Sequence, residues 1–248
     1  MPATVPLVLL HPFPTEAAFW RELVAALPGD RPVVLPEFPG LGGAPPRADA
    51  TVDGFADEVA ERIGREAPEG RAVVCGLSLG GYVALSLAVR HPDRVAGLVL
   101  ADTRAEADTP EARDGRHAAA AQVRAGGTAG FLDGFVPKLV APGDADALAR
   151  ARALADAQDP EGVARALEAL AGRADRVADL PGVAAPTLVI VGEHDGLTPP
   201  DFARTLAAGI PGAELVVIPG AGHLTALEAP DAFAAALTGF LARRLPGS

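Results

Sequence analysis

The chain has 248 residues, 49% of them hydrophobic, and a formal net charge of −11 at pH 7. This length and apolar content suit one sizeable packed core, with or without an insertion, and exclude a disordered chain. An acidic surface repels phosphate backbones and anionic lipid headgroups, so neither nucleic acid nor a peripheral membrane surface is an expected partner.

The chain opens Met1-Pro2-Ala3-Thr4-Val5-Pro6, without the basic region and long apolar stretch of a signal peptide, so a cytoplasmic protein is expected. Residues 7–10 read as a buried strand, followed by the loop His11-Pro12-Phe13-Pro14 and a helical pattern over about 15–26. A second strand is expected at 32–35 and a helix at about 52–65. Residues 72–75 read as the third strand and about 80–90 as the next helix. No residue from Ala72 to Val89 is charged, as in a membrane span, but Gly76, Gly80 and Gly81 interrupt the run. A buried strand, a tight turn and a buried helix explain it better. Cys75, the single cysteine, lies on that strand and is expected to point into the core. Its solitude excludes a disulfide framework and a cysteine-rich zinc site.

A fourth strand is expected at 95–100. Beyond it the pattern breaks: residues 104–180 are rich in Ala, Arg, Asp and Glu and contain no strand-like run. So long a stretch exceeds an ordinary connection and reads as several short helices forming a cap. Strands resume at 187–191 and 214–218, with helices at about 200–208 and 229–243. Continuously apolar strands imply a sheet covered on both faces, and strand–helix alternation implies a doubly wound, mostly parallel α/β sheet of about six strands. The expected organisation is a core of residues 1–103 and 181–248 interrupted by a helical cap at 104–180.

The chemistry is concentrated in Gly76-Leu77-Ser78-Leu79-Gly80-Gly81, which fits the G-x-S-x-G nucleophile elbow and falls at a strand–helix junction. The turn is sharp enough that the positions two before and two after the serine cannot carry side chains. A serine hydroxyl needs a base to act as a nucleophile at neutral pH. Of the five histidines, His223 follows the last strand in a short glycine loop, Pro219-Gly220-Ala221-Gly222-His223, at the same sheet edge as Ser78. His11 is the rival, although it reads better as a support for its own loop, and His91, His117 and His194 read as surface residues. The base needs an orienting carboxylate. Asp195, after the fifth strand, is the first candidate, and Asp102, after the fourth, is the second. The order Ser78, Asp195, His223 is the order this elbow accompanies. Two N–H groups must hold the developing oxyanion. Leu79 supplies one. Phe13 supplies the other, because Pro12 and Pro14 have no N–H.

With His11-x-Phe13, Pro39-Gly40-x-Gly42, the Ser78 elbow, Gly192-Glu193-His194-Asp195 and Gly220-Ala221-Gly222-His223 in place, the chain resembles the α/β-hydrolase superfamily over nearly its whole length. It is most similar to small bacterial carboxylesterases, enol-lactonases and cofactor-free haloperoxidases, a group also suggested by Asp102-Thr103-Arg104-Ala105 and Leu197-Thr198-Pro199-Pro200. It departs from that family at Pro12, where glycine is usual, and at Leu79, often methionine or glutamine. The family's first two strands have no counterpart before residue 7. The resemblance implies hydrolysis of a small carboxylic ester through an acyl-enzyme. Alternatives on the same site are a lactonase and a perhydrolase or haloperoxidase, and outside catalysis a ligand receptor. An aspartate-dependent dehalogenase or epoxide hydrolase is disfavoured by Ser78. No cofactor or metal is expected: Gly40-Leu41-Gly42-Gly43 lacks dinucleotide-site spacing, and no cluster of ligands stands at metal spacing. The expected partner is a small-molecule ester or lactone.

Overall fold

The computed structural model describes residues 5–245. The first four residues, read above as carrying no targeting signal, and the C-terminal Ser248 lie outside that range. Six strands, β1 (Leu7–Leu10), β2 (Val33–Val34), β3 (Ala72–Leu77), β4 (Val95–Ala101), β5 (Thr187–Gly192) and β6 (Glu214–Ile218), form one sheet in the order β2-β1-β3-β4-β5-β6. Every neighbouring pair is parallel. The helices are α1 (Arg21–Ala26), α2 (Val52–Glu66), α3 (Leu79–Arg90), α4 (Pro110–Gly126), α5 (Ala129–Phe135), α6 (Ala145–Asp156), α7 (Pro160–Ala171), α8 (Pro200–Gly209), α9 (Thr225–Glu228) and α10 (Pro230–Arg244). The expected helix over 15–26 divides into a 3-10 turn, Ala17–Trp20, and the short α1.

Alternate residues of each central strand feed two apolar layers. Val8, Leu10, Val74, Leu98 and Leu100 face α2, α3 and α8. Leu7, Leu9, Val73, Cys75 and Val99 face α1 and α10. Helix α2 shows how sequence produces this. Thr51 caps it by accepting from the Gly54 N–H at 2.9 Å. Its apolar residues Val52, Phe55, Ala56, Val59, Ala60 and Ile63 recur at the helical period, so one stripe is buried. Each large side chain in that stripe contributes about 1.5–3 kcal/mol of transfer free energy.

The rim of the sheet departs from continuous burial. In β6, Leu215 and Val217 are exposed while Ile218 is buried, and both residues of β2 are only half-buried. These are the sheet's two outer strands, where helices cover less of the surface. An apolar run therefore did not mark a strand covered on both faces there.

Between β4 and β5 the chain forms α4 to α7 with no strand. Three of these helices begin with a side-chain cap: Thr109 on α4, Asp144 on α6 and Asp159 on α7. Arg124 of α4 bonds both Glu161 and Glu168 of α7. Helix α7 starts directly on the loop after β2: a Cβ added at Gly162 would lie 1.6 Å from the Gly40 carbonyl oxygen, and Gln158 accepts from the Gly42 N–H at 2.9 Å. The inserted helices thus lie over the strand ends and share apolar residues with both core layers. Among the described residues, no helix is long and apolar enough to cross a membrane.

Candidate active site

Strand order reverses between β1 and β3, and the crevice outside the carboxyl ends of such strands is where open α/β sheets place ligands. Ser78 stands there between β3 and α3, at φ 54° and ψ −111°. A left-handed non-glycine residue costs on the order of 1–3 kcal/mol and needs surroundings that enforce it. Ser78 N–H donates to the Ala101 carbonyl at 2.9 Å, and the Thr103 hydroxyl donates to the Ser78 carbonyl at 3.1 Å. The glycines are required by contact: a Cβ at Gly76 would lie 2.0 Å from the Gly80 carbonyl oxygen, and one at Gly80 would lie 2.0 Å from that of Leu10.

His223 comes from the loop after β6. Its Nε2 lies 2.8 Å from Ser78 Oγ, and its Nδ1 lies 2.8 Å from Asp195 Oδ2. The imidazole and carboxylate are almost fully buried, at 2% and 0% side-chain exposure, so bulk water does not compete for this contact. A carboxylate only accepts, which places the proton of the neutral ring on Nδ1 and leaves the Nε2 lone pair facing Ser78. Asp195 also accepts from the N–H of Leu197 (2.8 Å), the N–H of Thr198 (2.9 Å) and the Thr198 hydroxyl (2.7 Å). Burial works to raise its pKa, but the electrostatic interaction and hydrogen bond with His223, together with the bonds from Thr198, outweigh it and hold the carboxyl below its ordinary value.

Two further carboxyls fix the loop that carries His223. Glu228 accepts from the N–H groups of Gly222 (2.9 Å) and Leu224 (3.0 Å), on either side of the histidine. Asp102, in the left-handed region at φ 46°, accepts from the Gly192 N–H at 3.0 Å and bonds the Thr225 hydroxyl. Burial, then the neighbouring charge of Asp195, pushes the Asp102 carboxyl well above its ordinary pKa. Asp102 therefore ties β4 and β5 to the histidine loop, whereas Asp195 meets the imidazole itself. Sequence reasoning did not find the parts played by Thr198 and Glu228. The Asp195-x-x-Thr198 spacing signals a local turn, but Glu228 carries no signal of its own.

The other candidates lie elsewhere. His11 is buried with Nε2 3.3 Å from Glu37 and its ring 4.6 Å from Phe38. His91 contacts Asp57 at 2.6 Å, while His194 and His117 are exposed. The Cys75 thiol is buried in β3, where desolvation pushes its pKa far up. Phe13 stands in the loop after β1, its ring 5.7 Å from Phe135 of α5. The Leu79 N–H is at the first position of α3, where no carbonyl one turn earlier can receive it. A cleft of about 460 Å³, mouth included, opens onto Ser78 and His223. Phe13, Phe135, Leu170 and Leu197 line it with apolar surface, and Arg104 and Arg116 line it with charge. Among the described residues, no group of three or more His, Cys, Asp or Glu side chains could hold a metal ion.

Residues 7–236 match the sequence profile of the alpha/beta hydrolase family. A pimeloyl-[acyl-carrier protein] methyl ester esterase from Aromatoleum aromaticum is 36% identical over 91% of this chain and 93% of its own length. A thermophilic esterase from Thermogutta terrifontis, solved with malate bound, superposes with a TM-score of 0.91 at 34% identity, covering 97% of this chain and 90% of that one. The enol-lactonase from Burkholderia xenovorans LB400 superposes with a TM-score of 0.86 at 31% identity, covering 96% and 91%.

Proposed function

Since this chain belongs to the alpha/beta hydrolase family and is a carboxylic ester hydrolase, we propose that it cleaves small carboxylic esters through an acyl-enzyme on Ser78, with His223 as base and Asp195 as the acid that orients it. The observation that carries this reading is the pair of 2.8 Å contacts joining Ser78 Oγ, His223 and Asp195 inside a cleft.

Ser78 Oγ attacks the ester carbonyl carbon while its proton passes to His223 Nε2. The carbonyl π electrons move to oxygen, and the N–H groups of Leu79 and Phe13 receive the oxyanion. Asp195 stays ionised and stabilises the imidazolium. Collapse breaks the bond to the alkoxy oxygen, which leaves as the alcohol with the proton from His223. Water, deprotonated by the same nitrogen, then attacks the acyl carbon, releases the carboxylic acid and returns the proton to Ser78. Helices α4 to α7 act as a cap whose Phe135 and Leu170 complete the cleft wall.

A lactone is a cyclic ester and would follow the same steps, and the likeness to the enol-lactonase favours keeping this second reading. Hydrolysis rates across p-nitrophenyl esters of increasing acyl length, measured beside a lactone panel, test both. Turnover confined to lactones would replace the ester reading. Turnover that persists after Ser78→Ala would overturn the mechanism.

A further inference from the structure

The chain is acidic, yet the wall of its cleft is basic. Arg104 and Arg116 line the cleft beside Ser78, and behind them stands Arg173. All three guanidinium groups converge on one carboxylate, Asp108: Arg104 Nη2 at 2.7 Å, Arg173 Nη1 at 2.9 Å, and Arg116 through Nε. The side chains of Asp108 and Arg173 are 1% and 3% exposed. One negative charge therefore faces three positive ones in a poorly hydrated place.

Among the described residues, no other carboxylate forms an ion pair with these three arginines. Asp53 is engaged by Arg176 and Arg90, and Asp175 accepts from the N–H groups of Ala107 and Val177. Glu106 gives Arg173 its main-chain carbonyl at 3.1 Å, while its Oε2 is buried without a partner. Arg173 is held behind the cleft by the Leu170 carbonyl and by the face of Tyr82, 4.4 Å from its ring centre. Its pKa is lowered by burial first, and the cations of Arg104 and Arg116 add to that effect. The two arginines at the cleft keep free donors. Arg104 Nε is buried with no acceptor, and among the described residues the only hydrogen-bond partner of Arg116 is Asp108.

Three cations sharing one buried carboxylate leave positive charge uncompensated at the cleft, where Arg104 and Arg116 are 18% and 23% exposed, and a planar guanidinium matches a carboxylate through parallel N–H donors. We infer that this cleft selects esters bearing a second, ionised carboxylate, which Arg104 and Arg116 bind while the ester carbonyl lies at Ser78. The apolar wall of Phe13, Phe135, Leu170 and Leu197 suits the methylene spacer between the two groups. Half-esters of short dicarboxylic acids have this form. The inference rests on the ester-hydrolase reading and names its substrate class; the hydrolytic steps are unchanged.

The test compares kcat/KM for the monomethyl esters of succinate, glutarate and adipate with those of their ω-carboxamide isosteres, using the intact chain. At least one acid should be preferred over its amide by about tenfold or more, the scale of a charge-assisted hydrogen bond. The ratio should shrink in high salt and in Arg116→Gln. A second measurement needs no variant: glutarate should inhibit p-nitrophenyl acetate hydrolysis at about one-tenth the concentration of glutaramide or less. Amides hydrolysed as well as acids at every chain length, with ester turnover intact, would overturn the inference and leave the ester reading standing. Inorganic phosphate inhibiting as strongly as glutarate would also overturn the carboxylate assignment. Failure to turn over any ester, p-nitrophenyl acetate included, would remove the ester reading and this inference with it.

Discussion

The carboxylate of Glu228 holds the N–H of Gly222 at 2.9 Å, and the same group holds the N–H of Leu224 at 3.0 Å, so the backbone is gripped on both sides of His223. It also accepts from the N–H of Ala141, within the segment joining α5 to α6, at 2.7 Å. One side chain thus couples the histidine loop to the inserted helices.

Removing that grip should affect position more than binding. Glu228→Ala leaves up to three N–H groups without their acceptor, at a cost of about 1–3 kcal/mol in stability. We expect kcat to fall at least tenfold with KM changed much less, because the reacting atoms need sub-ångström placement. Steady-state kinetics and a thermal melt on the same sample measure both effects. A rise in KM with kcat unchanged would assign Glu228 to substrate binding instead.

Ser78→Ala should lower turnover on the order of 10⁶-fold, the scale for a nucleophile of this kind, with the fold intact by circular dichroism. A fluorophosphonate probe should label Ser78. An adduct mapped to another residue would contradict the assignment.

The two aspartates separate in isosteric variants. Asp195→Asn offers an amide to His223 Nδ1, favours the wrong tautomer and should cost on the order of 10⁴-fold in rate. Asp102→Asn keeps an acceptor for the Gly192 N–H and should cost only about tenfold, through loop position. If Asp102→Asn is the crippling change, the acid comes from β4.

The same pair should leave opposite marks on stability against pH. The folded pKa of Asp195 is lowered, so its contribution is present above the ordinary value of 3.8 and is lost as pH falls through the folded value. The folded pKa of Asp102 is raised, so its contribution is whole below 3.8 and is lost as pH rises toward the folded value. Denaturant midpoints measured in steps upward from about pH 4 should therefore show Asp102→Asn gaining on the parent chain as pH rises. A constant gap would mean that Asp102 does not titrate differently in the fold.

Exhaustive dialysis against a chelator should leave ester hydrolysis unchanged, since every step drawn above uses only protein groups and water. A loss restored by adding a divalent cation would require a different mechanism.

Much of this protein was legible in its sequence because the physics involved is local. Short apolar runs alternating with helical periodicity lead to a parallel α/β sheet whatever the rest of the chain does, and six strands stand where they were expected. The glycines at 76 and 80 announce the elbow because only the absence of a Cβ permits that turn. Residues 104–180 announce helices through composition alone. What the tertiary structure decided depends on side chains far apart in the chain. Asp195 and Asp102 both follow strands, and chain order ranks Asp195 first, but only the fold puts Asp195 against the His223 ring and Asp102 against Gly192 and Thr225. The outer strands β2 and β6 read as fully covered, yet strand order leaves them at the rim, where helices cover less of the sheet. The gathering of Arg104, Arg116 and Arg173 around Asp108 has no local pattern at all. It exists because folding brings the loop after β4, helix α4 and the turn after α7 together beside one cleft.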